Sequence, residues 1–224
     1  VPVAATPAPA SGAWWTIFND PVLDALAQQV EAANQNLAVA VAVYGQARAL
    51  VAQQRASLFP VVPAGAGAPP RGGGHGTATR SSYDLSIGLS WEPDLWGRLG
   101  EAVTAARATE QASAADLAAA RLSLQGEMAV NYLNLRGLDE ERAVQRQIIE
   151  GLERTLQITR NRYEAGVAAR TDVLQAQTQL ANARAERLTL DRARAQLEHA
   201  IAVLAGRPPA NFSLADRTLE SAAL

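Results

Sequence analysis

Few residues of this 224-residue chain are capable of chemistry, and their placement is poor for catalysis. There is no cysteine, hence no thiol nucleophile, thiolate metal site or disulfide framework. The two histidines lie far apart, His75 in a glycine run and His199 near the end of an amphipathic segment. That is not the spacing of a metal pair. Asp139, Glu140 and Glu141, and likewise Arg192 and Arg194, are expected on solvated helix faces. Carboxylates perform acid–base work only inside a pocket, and no pattern here announces one. No enzyme activity, metal or cofactor is expected. A formal net charge of -2 gives no support to nucleic-acid binding, which needs a basic face.

The chemistry on offer is partition between oil and water. Over residues 82–91 Tyr83, Leu85, Ile87, Leu89 and Trp91 alternate with Asp84, Ser86, Gly88 and Ser90. A strand with this pattern is apolar on one face and polar on the other. Roughly ten residues is the length a tilted membrane strand requires, and aromatics at both ends match interface girdles. Residues 58–68 are expected to pair with it as a weaker strand, with 69–81 as the exposed loop. On this reading Tyr83, Leu85, Ile87, Leu89 and Trp91 face lipid, while Asp84 and Ser86 face a hydrated lumen. A soluble ribbon lying on a core is the plainer alternative, but the helices spend their apolar seams on one another. Two strands cannot close a barrel, and lipid does not tolerate open edges, so insertion requires neighbours.

The helices that must position this hairpin are long. Asp20 and Pro21 suit a capped helix start. Leu23, Leu26, Val30, Ala33, Leu37, Ala40, Tyr44, Ala47 and Val51 then step by threes and fours, predicting one coiled-coil-like helix over 20–57. A second, roughly 100 Å long, is predicted from Arg98 to about Tyr163, its stripe including Met128, Tyr132, Leu135, Ile148 and Leu156. Gly166 offers a left-handed stop, Thr171 an N-cap, and a third helix runs from Asp172 to Ala205 before Gly206 and Pro208 end it. The short turn at Gly166 and the hairpin make the third and first helices antiparallel to the second, and their summed length, about that of the second, lets them stack along it. Such a thin assembly needs neighbours. No stretch reaches the roughly 20 apolar residues of a membrane-spanning helix.

These features divide the chain into an extended N-terminal linker (1–19), a helix (20–57), the hairpin (58–97), the long and return helices (98–205) and a tail (206–224). The fold class is mostly α with a small β part: long antiparallel helices plus two strands of an oligomeric transmembrane barrel. Four segments in order, over 14–214, resemble the TolC-type outer membrane efflux family, especially its OprM-like members. They are Trp15-Thr16-Ile17-Phe18-Asn19-Asp20-Pro21, Ser90-Trp91-Glu92-Pro93-Asp94-Leu95-Trp96-Gly97-Arg98, Arg162-Tyr163-Glu164-Ala165-Gly166-Val167 with the following Ala168-Ala169-Arg170-Thr171-Asp172, and Leu204-Ala205-Gly206-Arg207-Pro208.

The resemblance implies a passive outer-membrane duct of a tripartite export system, its helices in the periplasm and its strands in the bilayer. It implies homotrimers of two-repeat protomers, served by a periplasmic adaptor and an inner-membrane RND pump. Only the first repeat is matched, so this is expected to be part of a longer chain; a half-length protein would instead close as a hexamer. Members of this type are often lipid-anchored through an N-terminal cysteine, which here would have to be removed. The resemblance places adaptor docking at Arg162, Tyr163, Gly166, Val167, Ala168, Arg170 and Asp172, where an ordinary helix turn needs the same residues. The rival reading is a soluble periplasmic coiled-coil scaffold or adaptor.

Overall fold

The computed structural model describes residues 13–67 and 83–217. The chain forms two units, Val1–Val39 with Ala119–Leu224, and Ala40–Ala118, and two of its helices pass from one to the other. The described part is mostly helical with one two-stranded sheet, as the sequence predicts. The predicted loop 69–81 and His75 lie outside the described residues.

In the first unit helix α1 spans Pro21–Ala33. Asp20 caps it, accepting from the N–H groups of Val22 and Leu23 at 2.8 and 3.4 Å. The Tyr132 hydroxyl donates to its other oxygen at 2.6 Å. Burial pushes the Asp20 carboxyl up, but Tyr132 and the two amides outweigh that and hold it below the usual carboxylate range. Leu23, Leu26, Ala27 and Val30 pack with Met128, Tyr132 and Leu135 of helix α3 (Arg98–Glu164) and with Ile201 and Leu204 of helix α4 (Arg170–Leu204). The side-chain bonds Tyr132–Asp20 and Gln125–Glu31 run in opposite chain directions, so α1 is antiparallel to α3.

Three expectations need correction here. Residues 14–18 are not an extended linker: Trp14–Phe18 form a 3-10 turn, because Trp15 is buried in the α1–α3–α4 core. The predicted helix over 20–57 is two helices, α1 and α2 (Gln35–Ala56), broken at Asn34, whose ψ is 123°. Asn34 restarts the chain as a cap, accepting from Leu37 N–H at 3.1 Å, and donates to the Leu204 carbonyl at 2.8 Å. It takes the buried seam position that the heptad assigns to Ala33, which is exposed. Gly206 makes this contact possible: its φ is +68°, and a Cβ there would stand 2.3 Å from the Ala33 carbonyl oxygen. Finally, α4 begins at Arg170 with Ala169 at its N-cap, not at Asp172 after Thr171. Asp172 closes that start by accepting from Ala169 N–H at 3.2 Å.

Farther along, α3 and α4 form a second small core of Ile149, Leu156, Ala176 and Leu180. Ile149 takes the place in the stripe that the sequence assigns to Ile148, which is exposed. The pairs Asp139–Arg194, Arg142–Asp191 and Gln145–Ala183 rise along one helix and fall along the other, so the two are antiparallel. Leu122, Val130, Ile158, Leu174, Leu188 and Val203 remain exposed on these helices. An isolated soluble helix pair does not normally leave so many apolar side chains in water.

Within the second unit Ala47, Val51 and Val103 are buried. Strands β1 (Ala64–Gly67) and β2 (Asp84–Ile87) pair antiparallel.

Candidate functional site

The hairpin register pairs Ala64 with Ile87 and Ala66 with Leu85, and an isolated bridge between Val61 and Ser90 continues it. The ladder is shorter than the ten-residue strand predicted. Pro63 accepts from Gly88 N–H at 2.9 Å but has no N–H to return. Directly paired residues share a face. Leu85 and Ile87 therefore stand beside Ala66 and Ala64, while Asp84 and Ser86 stand opposite Gly67 and Gly65. The polar face is small as well as hydrophilic: a Cβ on Gly65 would lie 3.1 Å from Ser86 Oγ.

No described residue covers the apolar face. Tyr83, Leu85, Ile87 and Leu89 are 74–83% exposed, and Trp91 is 58% exposed. Trp91 still satisfies its indole, donating to the Leu58 carbonyl at 3.2 Å. Neither strand has a further partner among the described residues. Exposed large side chains on a ribbon with two free edges form a surface built for a covering that is not water.

Asp94 turns the hairpin into α3, a role the sequence reading passed over. Its carboxylate accepts from Leu99 N–H at 3.0 Å and Gly100 N–H at 2.7 Å. Those two bonds are the main reason its carboxyl lies below the usual range. Gly97, at φ +77°, makes the reversal, and Arg98 reaches Glu92 at 2.9 Å. The cap stands outside the helix it serves, five and six residues ahead of its donors, so a search for a residue just before α3 does not find it. The run Asp94-Leu95-Trp96-Gly97 is the available signal.

The turn between α3 and α4 is built as a left-handed stop. Gly166 has φ +75°; its N–H donates to the Tyr163 carbonyl, and those of Val167 and Ala168 donate to the Arg162 carbonyl. Arg162, Tyr163, Gly166, Val167, Arg170 and Asp172 are exposed and Ala168 is half-buried, so the structure brings all seven tip residues into one turn.

Asp139 and Arg194 are not on solvated faces as predicted; both are buried, whereas Glu141 and Arg192 are exposed. Asp139 meets Arg136 and Arg194 at 2.7 Å each, and these contacts remove all three from water. Among the described residues no group of three or more His, Asp or Glu side chains is placed to hold a metal ion. No helix of the described residues is long and apolar enough to cross a membrane.

Comparison with known proteins adds an independent line. Residues 26–207 match the family model described as "Outer membrane efflux protein". The chain is 29% identical over 219 residues to the pyoverdine export outer membrane protein OpmQ of Pseudomonas aeruginosa, covering 93% of this chain and 46% of that protein. It is 28% identical over 210 residues to the toluene efflux pump outer membrane protein TtgF of Pseudomonas putida, covering 91% and 44%. The solved outer-membrane channel OprN superposes with a TM-score of 0.80 at 32% identity, over 93% of this chain and 48% of that one. The chain thus spans about half the length of the relatives it matches.

Proposed function

This chain belongs to the outer membrane efflux protein family, a family of the bacterial outer membrane, and we propose that it supplies one strand–helix repeat of an export duct. In this reading Tyr83, Leu85, Ile87, Leu89 and Trp91 contact lipid, and Asp84 and Ser86 line the aqueous bore. The observation that carries it is the uncovered apolar face of β2, set back to back with a face of serine, glycine and aspartate. In a closed barrel that face would meet hydrocarbon, and each strand edge would meet another strand. The exposed apolar side chains of α3 and α4 would be covered by neighbouring helices of a trimer of two-repeat protomers, or of a hexamer of single repeats. No bond is made or broken by such a component. Solute leaves an inner-membrane pump through a periplasmic adaptor and diffuses along the tube, sorted by its width and lining.

Adaptor docking falls to the α3–α4 turn. Support comes from Val167, an exposed apolar knob ringed by Arg162, Arg170 and Asp172. A Cβ at Gly166 would meet nothing within 4 Å, so the turn is open to a partner. Gly166→Trp is expected to abolish export while the protein still reaches the outer membrane. Gly166→Ala, which adds the same left-handed strain of about 1–2 kcal/mol without the bulk, should export nearly normally. Efflux and outer-membrane fractionation of the full-length protein measure both, and normal export by Gly166→Trp would remove the docking assignment. The soluble-scaffold reading finds no support, since a scaffold has no use for an uncovered β face.

A further inference from the structure

The apolar packing of α3 against α4 is interrupted. One core ends at Leu135 on α3 and resumes at Leu197 on α4; the other runs over residues 149–156 and 176–180. Between them lies a layer of charge, with Arg136, Asp139 and Arg142 on α3 facing Asp191, Arg194 and Glu198 on α4. Three guanidiniums meet three carboxylates, so the layer is balanced without help.

The segment after α4 is nevertheless drawn into it. Arg136 divides its Nη1 between Asp139 at 2.7 Å and the Ala215 carbonyl at 2.8 Å. Arg194 holds Asp139 through Nε at 2.7 Å, and through Nη2 the Leu214 carbonyl at 2.7 Å and the Asp216 carboxylate at 2.9 Å. Arg142 holds Asp191 at 2.7 Å and Asp216 at 3.0 Å. Glu198 accepts from Leu214 N–H, and Asp139 from Arg217 N–H at 3.4 Å. Every arginine of the layer thus has one hand on a helix carboxylate and one on the segment. Most bonds to the segment reach its backbone. Phe212 anchors its start in the first core, under the Arg207 guanidinium at 5.4 Å.

We infer that residues 212–217 act as a strap that locks the α3–α4 charge layer. A charge layer between two apolar cores is the weakest stretch of a helix pair, since water re-entering it repays much of what separation loses. With the strap in place each guanidinium of the layer has an acceptor on the segment as well as one on a helix. With the strap away, Arg136 and Arg194 lose acceptors while still buried, and α3 and α4 can part locally without opening either core. The strap is therefore a latch on the distal half of the helix pair, set by the path of the chain that follows it.

The test is amide hydrogen exchange on the full-length protein in lipid nanodiscs. Asp216→Ala removes an exposed strap carboxylate that serves Arg142 and Arg194. Exchange over 136–148 and 184–196 should accelerate by about tenfold or more, with 124–135 and 149–156 unchanged. Unchanged exchange in the charge layer would overturn the inference. So would an equal rise through both cores, which would make the strap a general stabiliser rather than a latch.

Discussion

Asp139→Ala is expected to lower the unfolding free energy of the α1–α3–α4 unit by about 3–5 kcal/mol, the usual cost of leaving a buried charge without its partner. Asp139 is 3% exposed and is the common acceptor of Arg136 and Arg194, themselves 3% and 8% exposed. Its removal leaves Arg136 buried with no carboxylate partner, and leaves Arg194 with only the more exposed carboxylates of Glu198 and Asp216. Arg136 lies 4.8 Å from the Tyr132 ring centroid, and Tyr132 holds the cap of α1, so the loss should spread to the first helix. Asp139→Ala with Arg194→Met should be less unstable than the separate losses added together, because both changes remove the same Asp139–Arg194 pair. Denaturant unfolding followed by helical circular dichroism measures all three variants. A loss under about 1 kcal/mol for the single variant would mean that water reaches the cluster.

The second large effect concerns the hairpin. Leu85→Arg with Ile87→Arg should keep the full-length protein out of the outer membrane, whereas Ser86→Arg between them should insert. A guanidinium on the lipid face costs about 2–4 kcal/mol at the bilayer midplane, and two adjacent ones leave no depth at which both escape. On the opposite face an arginine projects into water, where the neighbours are Gly65 and Asp84. Membrane fractionation with urea extraction separates the outcomes; equal behaviour of the two faces would contradict the assignment.

Much of this was legible because it is local. Strict alternation separated the two faces correctly over the paired residues 84–87, and Gly166 marked the turn. Helices α3 and α4 followed from proline-free stretches of apolar spacing and their glycine and proline stops, to within two residues of their ends. What escaped depends on partners distant in the chain. Asn34 breaks a good heptad because the Leu204 carbonyl, 170 positions away, needs a donor. Trp15 folds back from what reads as a linker because α3 and α4 offer it a core. Asp139 and Arg194 look like any exposed charges until the antiparallel pairing of α3 with α4 is imposed. Arg136, Asp139 and Arg142 then find complementary signs at Asp191, Arg194 and Glu198. That complement was present in the spacing, but nothing in α3 alone reveals it.

Which medium each face of β2 touches can be measured directly, and no cysteine of residues 1–224 competes for a label there. Single cysteines at positions 84, 85, 86 and 87 of the full-length protein in lipid vesicles can carry nitroxide labels, read for collision with oxygen and with a water-soluble nickel complex. Period-two alternation is expected, with labels at 85 and 87 favouring oxygen dissolved in lipid and labels at 84 and 86 favouring nickel. Equal nickel access at all four positions, or labels at 85 and 87 shielded from both reagents by protein, would contradict it.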